Sequence, residues 1–164
     1  MDQVDWIDSL FQCYAKELSR YLRTFGLSED ETYDLVQDTF MAVLKAQPSQ
    51  IRHPKAWLFT VARNLALNRL KTRRSRTEEA DIEAIADPAP SVLSSMLENE
   101  DGALLWRAYS MLPAKDREMM DLYLDNDFTY RQIARILGRS EISVRVAMHR
   151  SRKQLRRLLR SLEG

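Results

Sequence analysis

The sequence predicts an all-α protein made of two small helical domains joined by a linker. Three observations carry this expectation. Apolar residues recur at intervals of three and four along most of the chain, and capping or breaking residues divide those stripes into helices. Only 4 Gly and 5 Pro occur among 164 residues, too few for a sheet-rich fold full of tight turns. A chain of this length buries a real core as one domain or as two.

In the first helix, Trp6, Leu10, Tyr14, Leu18, Tyr21 and Phe25 share one face, and Gly26 supplies the left-handed residue that ends it. Cys13, the one cysteine, falls among these positions and is expected to be buried packing; alone it forms no internal disulfide, which fits a reducing cytoplasm. Ser28 and Glu31 form a capping box that opens a second helix near Glu29. Leu35, Val36, Phe40, Val43 and Leu44 form its apolar stripe, and Pro48 ends it. A third helix is expected from Pro54 towards Thr72, burying Trp57, Leu58, Val61, Ala62 and Leu65. Short connections make these three a bundle, residues 1–74.

Residues 75–92 read differently. The segment is acidic, lacks a sustained stripe and contains the turn-forming run Asp87–Ser91, so it is expected to be a partly disordered linker. It serves as a soluble tether or, alternatively, as an acidic mimic of nucleic acid that masks its neighbours. The second domain, 93–164, starts with a helix carrying Leu97, Leu104, Leu105, Tyr109 and Leu112. Pro113 closes that helix and opens the next, whose core side is expected to hold Met119, Met120, Leu122, Tyr123 and Leu124. Thr129 and Gln132 form a second capping box, Gly138 ends the short helix that follows, and Ser140 caps a long final helix.

The formal charge of +1 conceals a division along the chain. Arg63–Arg76 carries six basic and no acidic residues, Thr77–Asp101 eight acidic and no basic ones, and Arg139–Arg160 eight basic residues against Glu141. One such run alone is equally a solvated helix face. Two runs, each ending a helix in a separate half, favour a polyanionic partner. The acidic N-terminus argues against an export signal, and no stretch approaches the ~20 apolar residues that span a bilayer.

A short helix, a glycine turn and an arginine-loaded helix form the arrangement of a helix-turn-helix DNA reader. Ile133, Ala134, Leu137, Val144 and Met148 are expected to pack the two helices together. That leaves Arg139, Glu141, Ser143, Arg145, Val146, His149 and Arg150 facing the major groove, where arginine reads guanine bidentately and an apolar group meets a thymine methyl. Arg152, Lys153, Arg156 and Arg157 lie further along and suit phosphate. A basic amphipathic helix that binds a membrane or protein is the alternative. The helix from His53 to Arg74 mixes aromatics with Arg, Asn and Lys, as single-stranded DNA requires; the same composition also suits a purely structural helix. Trp57 and Phe59, two positions apart, do not share a face, and Trp57 is expected to be the core one.

Taken together, these runs resemble the extracytoplasmic-function group of bacterial RNA polymerase sigma factors, of the sigma-70 family, whose members retain regions two and four. DLVQDTFMAVLKA (34–46) resembles the helix that binds core polymerase. HPKAWLFTVARNLALNRLK (53–71) is similar to the promoter-melting helix, with Ala62-Arg63-Asn64 in place, and residues 112–156 resemble region four. The resemblance implies that Asp34, Leu35, Gln37, Asp38 and Phe40 meet the clamp coiled coil of the largest polymerase subunit, with the flap as a further contact. It implies that the loop Gln47–His53, through Gln47, Ser49, Gln50 and Arg52, receives a base flipped from the minus-ten element. Arg63, Asn64, Lys71, Arg73 and Arg74 would hold that strand and the adjacent duplex. Arg139, Glu141, Ser143, Arg145, Val146, His149, Arg150, Arg152 and Lys153 would meet the minus-thirty-five element. An anti-sigma factor is a further implied partner. Where the family often has Gly-Thr-Val-Lys-Ser-Arg, this chain has Ile142-Ser143-Val144-Arg145-Val146-Ala147, which puts family-average promoter preferences in doubt.

Enzymatic readings find little support. No Gly-rich phosphate loop, H-E-x-x-H motif or Cys cluster occurs, and His53 and His149 are far apart, so neither cofactor nor metal is expected. The competing class is a helix-turn-helix regulator whose N-terminal bundle dimerises or senses a ligand. Such a regulator binds duplex DNA unaided at symmetric half-sites.

Overall fold

The computed structural model describes residues 2–76 and 99–164, which form seven α-helices and one 3-10 turn with no strand among them. The chain divides into two compact units, Met1–Ala89 and Pro90–Gly164. The expected linker lies outside the described residues from 77 onward, as does Leu97, while Ser75 and Arg76 are the last residues of a helix.

In the first unit, α1 (Gln3–Arg23) starts where the Asp2 carboxylate accepts the Gln3 N–H at 2.7 Å. Leu10, Leu18, Tyr21 and Leu22 are its buried residues, and Gly26, at φ 75°, turns the chain. Cys13 is exposed, contrary to expectation. At about 100° per residue it lies about 140° round the helix from Leu18 and about 180° from Leu22. Ser28 and Glu31 complete the capping box of α2 (Glu29–Lys45), whose first turn holds Glu29, Asp30 and Glu31 at the positive end of the helix dipole. Leu35, Val36, Phe40 and Val43 are buried, whereas Leu44 is exposed. Pro48 lies beyond the helix and opens the 3-10 turn Pro48–Gln50.

The third helix, α3 (Pro54–Arg76), runs past Thr72. It buries Ala56, Leu58, Phe59, Ala62 and Ala66, and the three alanines let neighbouring backbones approach closely. Trp57 is only half-buried and Phe59 is the core aromatic, reversing the expectation. Phe59 shares a side with Ala62 and Ala66, and its ring centroid lies 5.0 Å from that of Tyr21. Leu18, Leu22, Leu58 and Phe59 are fully buried, and each such side chain stabilises by about 1.5–3 kcal/mol.

The second unit opens with α4 (Glu100–Ser110), where the Asn99 side chain accepts the Gly102 N–H at 2.8 Å. Pro113 precedes α5 (Ala114–Leu124), which buries Met119, Met120, Asp121 and Leu122 but leaves Leu124 exposed. Then follow α6 (Tyr130–Leu137) and α7 (Glu141–Glu163). Asp121 is a carboxylate inside this core: Tyr109 donates its hydroxyl to it, while the Arg117 guanidinium bonds the Ser110 carbonyl at 2.9 Å. Burial above all pushes the Asp121 pKa up to about 7, and burial together with the Asp121 charge raises that of Tyr109.

Candidate nucleic-acid and partner interfaces

The turn between α6 and α7 is set by local chemistry. Thr129 and Gln132 cap α6 reciprocally, the Thr129 N–H donating to Gln132 Oε1 at 3.0 Å and the Gln132 N–H to Thr129 Oγ1 at 3.2 Å. Gly138 adopts φ 65°, and the Arg139 N–H reaches back to the Ala134 carbonyl at 2.9 Å, the six-to-one bond of a Schellman motif. Ser140 Oγ then accepts the Ser143 N–H at 3.1 Å, starting α7. Ile133, Val144 and Met148 are sealed between the helices, joined by Ala134 and by Ile136; Leu137, expected there, is half-buried. Helix spacing puts Ile136, three residues after Ile133, on the inner side.

This packing turns a basic face outward. Arg139, Glu141, Arg145, Val146, His149, Arg150 and Lys153 are exposed, and Ser143 and Arg152 are half-buried. Several of these side chains are held rather than loose. Arg139 Nη2 donates to Ser143 Oγ at 2.8 Å, and Arg145 Nη2 pairs with Glu141 Oε1 at 3.3 Å. Arg145 also lies over the Tyr130 ring at 5.5 Å, and Arg152 over the Tyr123 ring at 5.2 Å. The sequence placed Tyr123 on the core side of α5 and gave no role to Tyr130 or to Ile142, which is 76% exposed and one turn before exposed Val146. The departure from small residues at positions 142 and 146 was the available signal for that apolar pair.

In the first unit the nucleic-acid candidates follow α3 rather than gather in one patch. Gln47, Ser49, Gln50 and Arg52 are exposed ahead of its first turn, in a loop anchored by buried Ile51. Half-buried Arg63 and exposed Asn64 come mid-helix. Lys71, Arg73 and Arg74 lie exposed near its end, about 25 Å along the axis from Pro54. Arg73 pairs with Glu31, whose carboxylate is held below its usual range by that bond first and by the Ser28 N–H next.

On α2 the expected polymerase-binding set separates into two groups. Asp34, Gln37 and Asp38 are exposed. Leu35 and Phe40 are 2% and 6% exposed, so their side chains belong to the core and do not face a partner. The helix period turns them inward with Val36 and Val43. Tyr33, Met41 and Leu44 are the apolar groups α2 does present, with Phe11 of α1 beside them, its ring edge-on to Phe40. A groove of about 430 Å³ lies between α1 and α2, lined by Phe11, Lys16, Arg20, Tyr33, Val36 and Gln37 among others. No helix of the described residues is long and apolar enough to cross a membrane.

Residues 10–76 match the family model of sigma-70 region 2, and residues 103–155 match that of sigma-70 region 4. RNA polymerase sigma factor YlaC of Bacillus subtilis is 30% identical over 169 residues, covering 96% of this chain and 94% of that protein. The ECF RNA polymerase sigma factor SigM of Bacillus subtilis is 27% identical over 160 residues, with 93% and 94% covered. Among solved structures, the sigma factor RpoE in complex with the anti-sigma factor NepR from Bartonella quintana superposes with a TM-score of 0.69 at 26% identity. That match covers 93% of this chain and 96% of RpoE.

Proposed function

We propose, because this chain belongs to the sigma-70 family of RNA polymerase sigma factors and to its extracytoplasmic-function group, a specific division of labour along its helices. The protein is a sigma factor: it binds core RNA polymerase and directs it to promoters for transcription initiation. Its own work is non-covalent, and its place is the bacterial cytoplasm, where polymerase and promoters are.

In this reading α7 enters the major groove at the minus-thirty-five element. Arg139, Ser143, Arg145, Val146, His149 and Arg150 lie at base edges, and Arg152 and Lys153 at phosphates. The loop Gln47–His53 receives a base flipped from the minus-ten element, and Arg63, Asn64, Lys71, Arg73 and Arg74 hold the strand along α3. Extruding a base costs a few kcal/mol. Stacking on a protein aromatic returns about 1–3 kcal/mol per base, so opening proceeds when contacts to the freed strand outweigh the pairing lost. Trp57, which is only half-buried on α3, is the aromatic nearest to that loop along the helix. On α2, Asp34, Gln37 and Asp38 with the exposed Tyr33, Met41 and Leu44 form the surface for the clamp coiled coil, and the second unit meets the flap. An anti-sigma factor, like the one bound to RpoE in the Bartonella structure, competes for these surfaces.

The observation that carries the DNA-reading assignment is the α6–turn–α7 geometry, which buries Val144 and Met148 and leaves the basic face open. The test is reconstitution with core polymerase and runoff transcription from genomic fragments, with new start sites as the expected result. Tight binding of the isolated chain to symmetric duplex half-sites, without effect on core polymerase, would identify a helix-turn-helix regulator instead.

A further inference from the structure

Four side chains from three helices form a ladder on the second unit. Arg145 lies over the ring of Tyr130, at the start of α6. The Tyr130 ring rests against Tyr123 of α5, with centroids 5.1 Å apart and planes tilted by 35°. Arg152 lies over the Tyr123 ring in turn. Arg145 and Arg152 are seven residues apart, so they leave α7 on nearly the same side, about 10 Å apart along its axis.

We propose that Tyr130 is a positioning residue for promoter recognition: backed by Tyr123, its ring holds the Arg145 guanidinium where DNA meets it. The inference rests on the assignment of α7 as the reading helix. An arginine on an exposed helix face samples many rotamers, and ordering one on binding costs affinity. Here the ring face attracts the cation from one side and the Glu141 carboxylate from another, at 3.3 Å. The Arg145 side chain nevertheless stays 64% exposed. Tyr130 cannot swing away without losing its contact with Tyr123, and Tyr123 is itself held under the Arg152 guanidinium. Each end of the ladder is therefore closed by a cation of the same helix.

The proposal is tested on holoenzyme reconstituted from core RNA polymerase and the full chain. Wild-type holoenzyme first selects promoter fragments from a random-sequence library. Competition binding then compares the best fragment with a version whose upstream element is scrambled, giving a discrimination ratio. Tyr130→Leu should lower that ratio about fivefold, the scale of an exposed cation–π contact, and Tyr130→Phe, which keeps the ring, should retain it. In an Arg145→Ala background, Tyr130→Leu should cause no further loss. An equal loss in both backgrounds, whether by misfolding or by another route, overturns the proposal, as does unchanged discrimination by Tyr130→Leu alone. Should wild-type holoenzyme select no fragment, the sigma-factor reading falls first and this inference falls with it.

Discussion

The Arg73 guanidinium closes on the Glu31 carboxylate, tying the end of α3 to the first turn of α2. Glu31 also accepts the Ser28 N–H at 2.9 Å, so a single side chain caps one helix and anchors another. It thereby holds one of the cations proposed above to grip the promoter strand.

Glu31→Gln separates those two roles, because glutamine still serves the capping box. The pair is partly exposed, with side chains 46% and 25% accessible, so its loss should cost only about 0.5–1 kcal/mol. Glu31 has a depressed pKa in the fold. Its contribution is therefore present above the unfolded-state pKa and lost as pH falls through the lower folded value. Urea unfolding of both proteins should show their difference at pH 7 and none at strongly acid pH. Removing the Glu31 charge beside Arg73 should in turn tighten promoter binding in low salt; equal binding would deny Arg73 the proposed DNA role.

Asp121 runs in the opposite direction. Its folded pKa of about 7 exceeds the ordinary 3.8, so the fold favours the neutral acid. Its stability cost is absent below the unfolded value, grows as pH rises between the two, and is complete above about 7. Asp121→Asn keeps an acceptor for the Tyr109 hydroxyl and removes the charge. It should stabilise the second unit at pH 8 by a few kcal/mol, and by less at pH 5. Thermal melts at the two pH values decide this, and a loss of the same size at both would mean that the carboxylate is needed as such.

Two neighbours on α2 should behave differently. Leu35 is 2% exposed, so Leu35→Ala should destabilise by about 2–5 kcal/mol. Tyr33 is 61% exposed, so Tyr33→Ala should leave the melting midpoint in place and weaken association with core polymerase about tenfold or more. Calorimetry and a pull-down on core enzyme read both. Wild-type association by Tyr33→Ala would remove that face of α2 from the partner surface.

At Gly138 an added Cβ meets nothing within 4 Å, yet φ is 65°. Gly138→Ala should therefore cost about 1 kcal/mol through backbone strain alone. Gly138→Asn, which tolerates this conformation better, should recover part of it. Chemical denaturation of the two variants measures the difference; equal stabilities would locate the cost elsewhere.

Both capping boxes, the glycine stops at 26 and 138, and the proline starts of α3 and α5 were legible because each depends on residues three or four positions apart. The exposed basic face of α7 was legible for the same reason, and the charge division is plain from composition along the chain. Periodicity says that a stripe exists but leaves its edges open. Cys13, Leu44 and Leu124 lie at such edges and turn outward, while Ile136 turns inward.

The sequence by itself determined the helices, their caps and the sign of the charge on each, since backbone propensity and local hydrogen bonding act within a turn or two. Only the tertiary structure decided that Phe59 rather than Trp57 meets Tyr21, that Leu35 and Phe40 are core, and which arginines are held. Those outcomes depend on the angle at which one helix crosses another, which is set by the side chains of both partners together. Tyr130 and Arg145 are fifteen residues apart and belong to different helices, so no local pattern marks them as a pair.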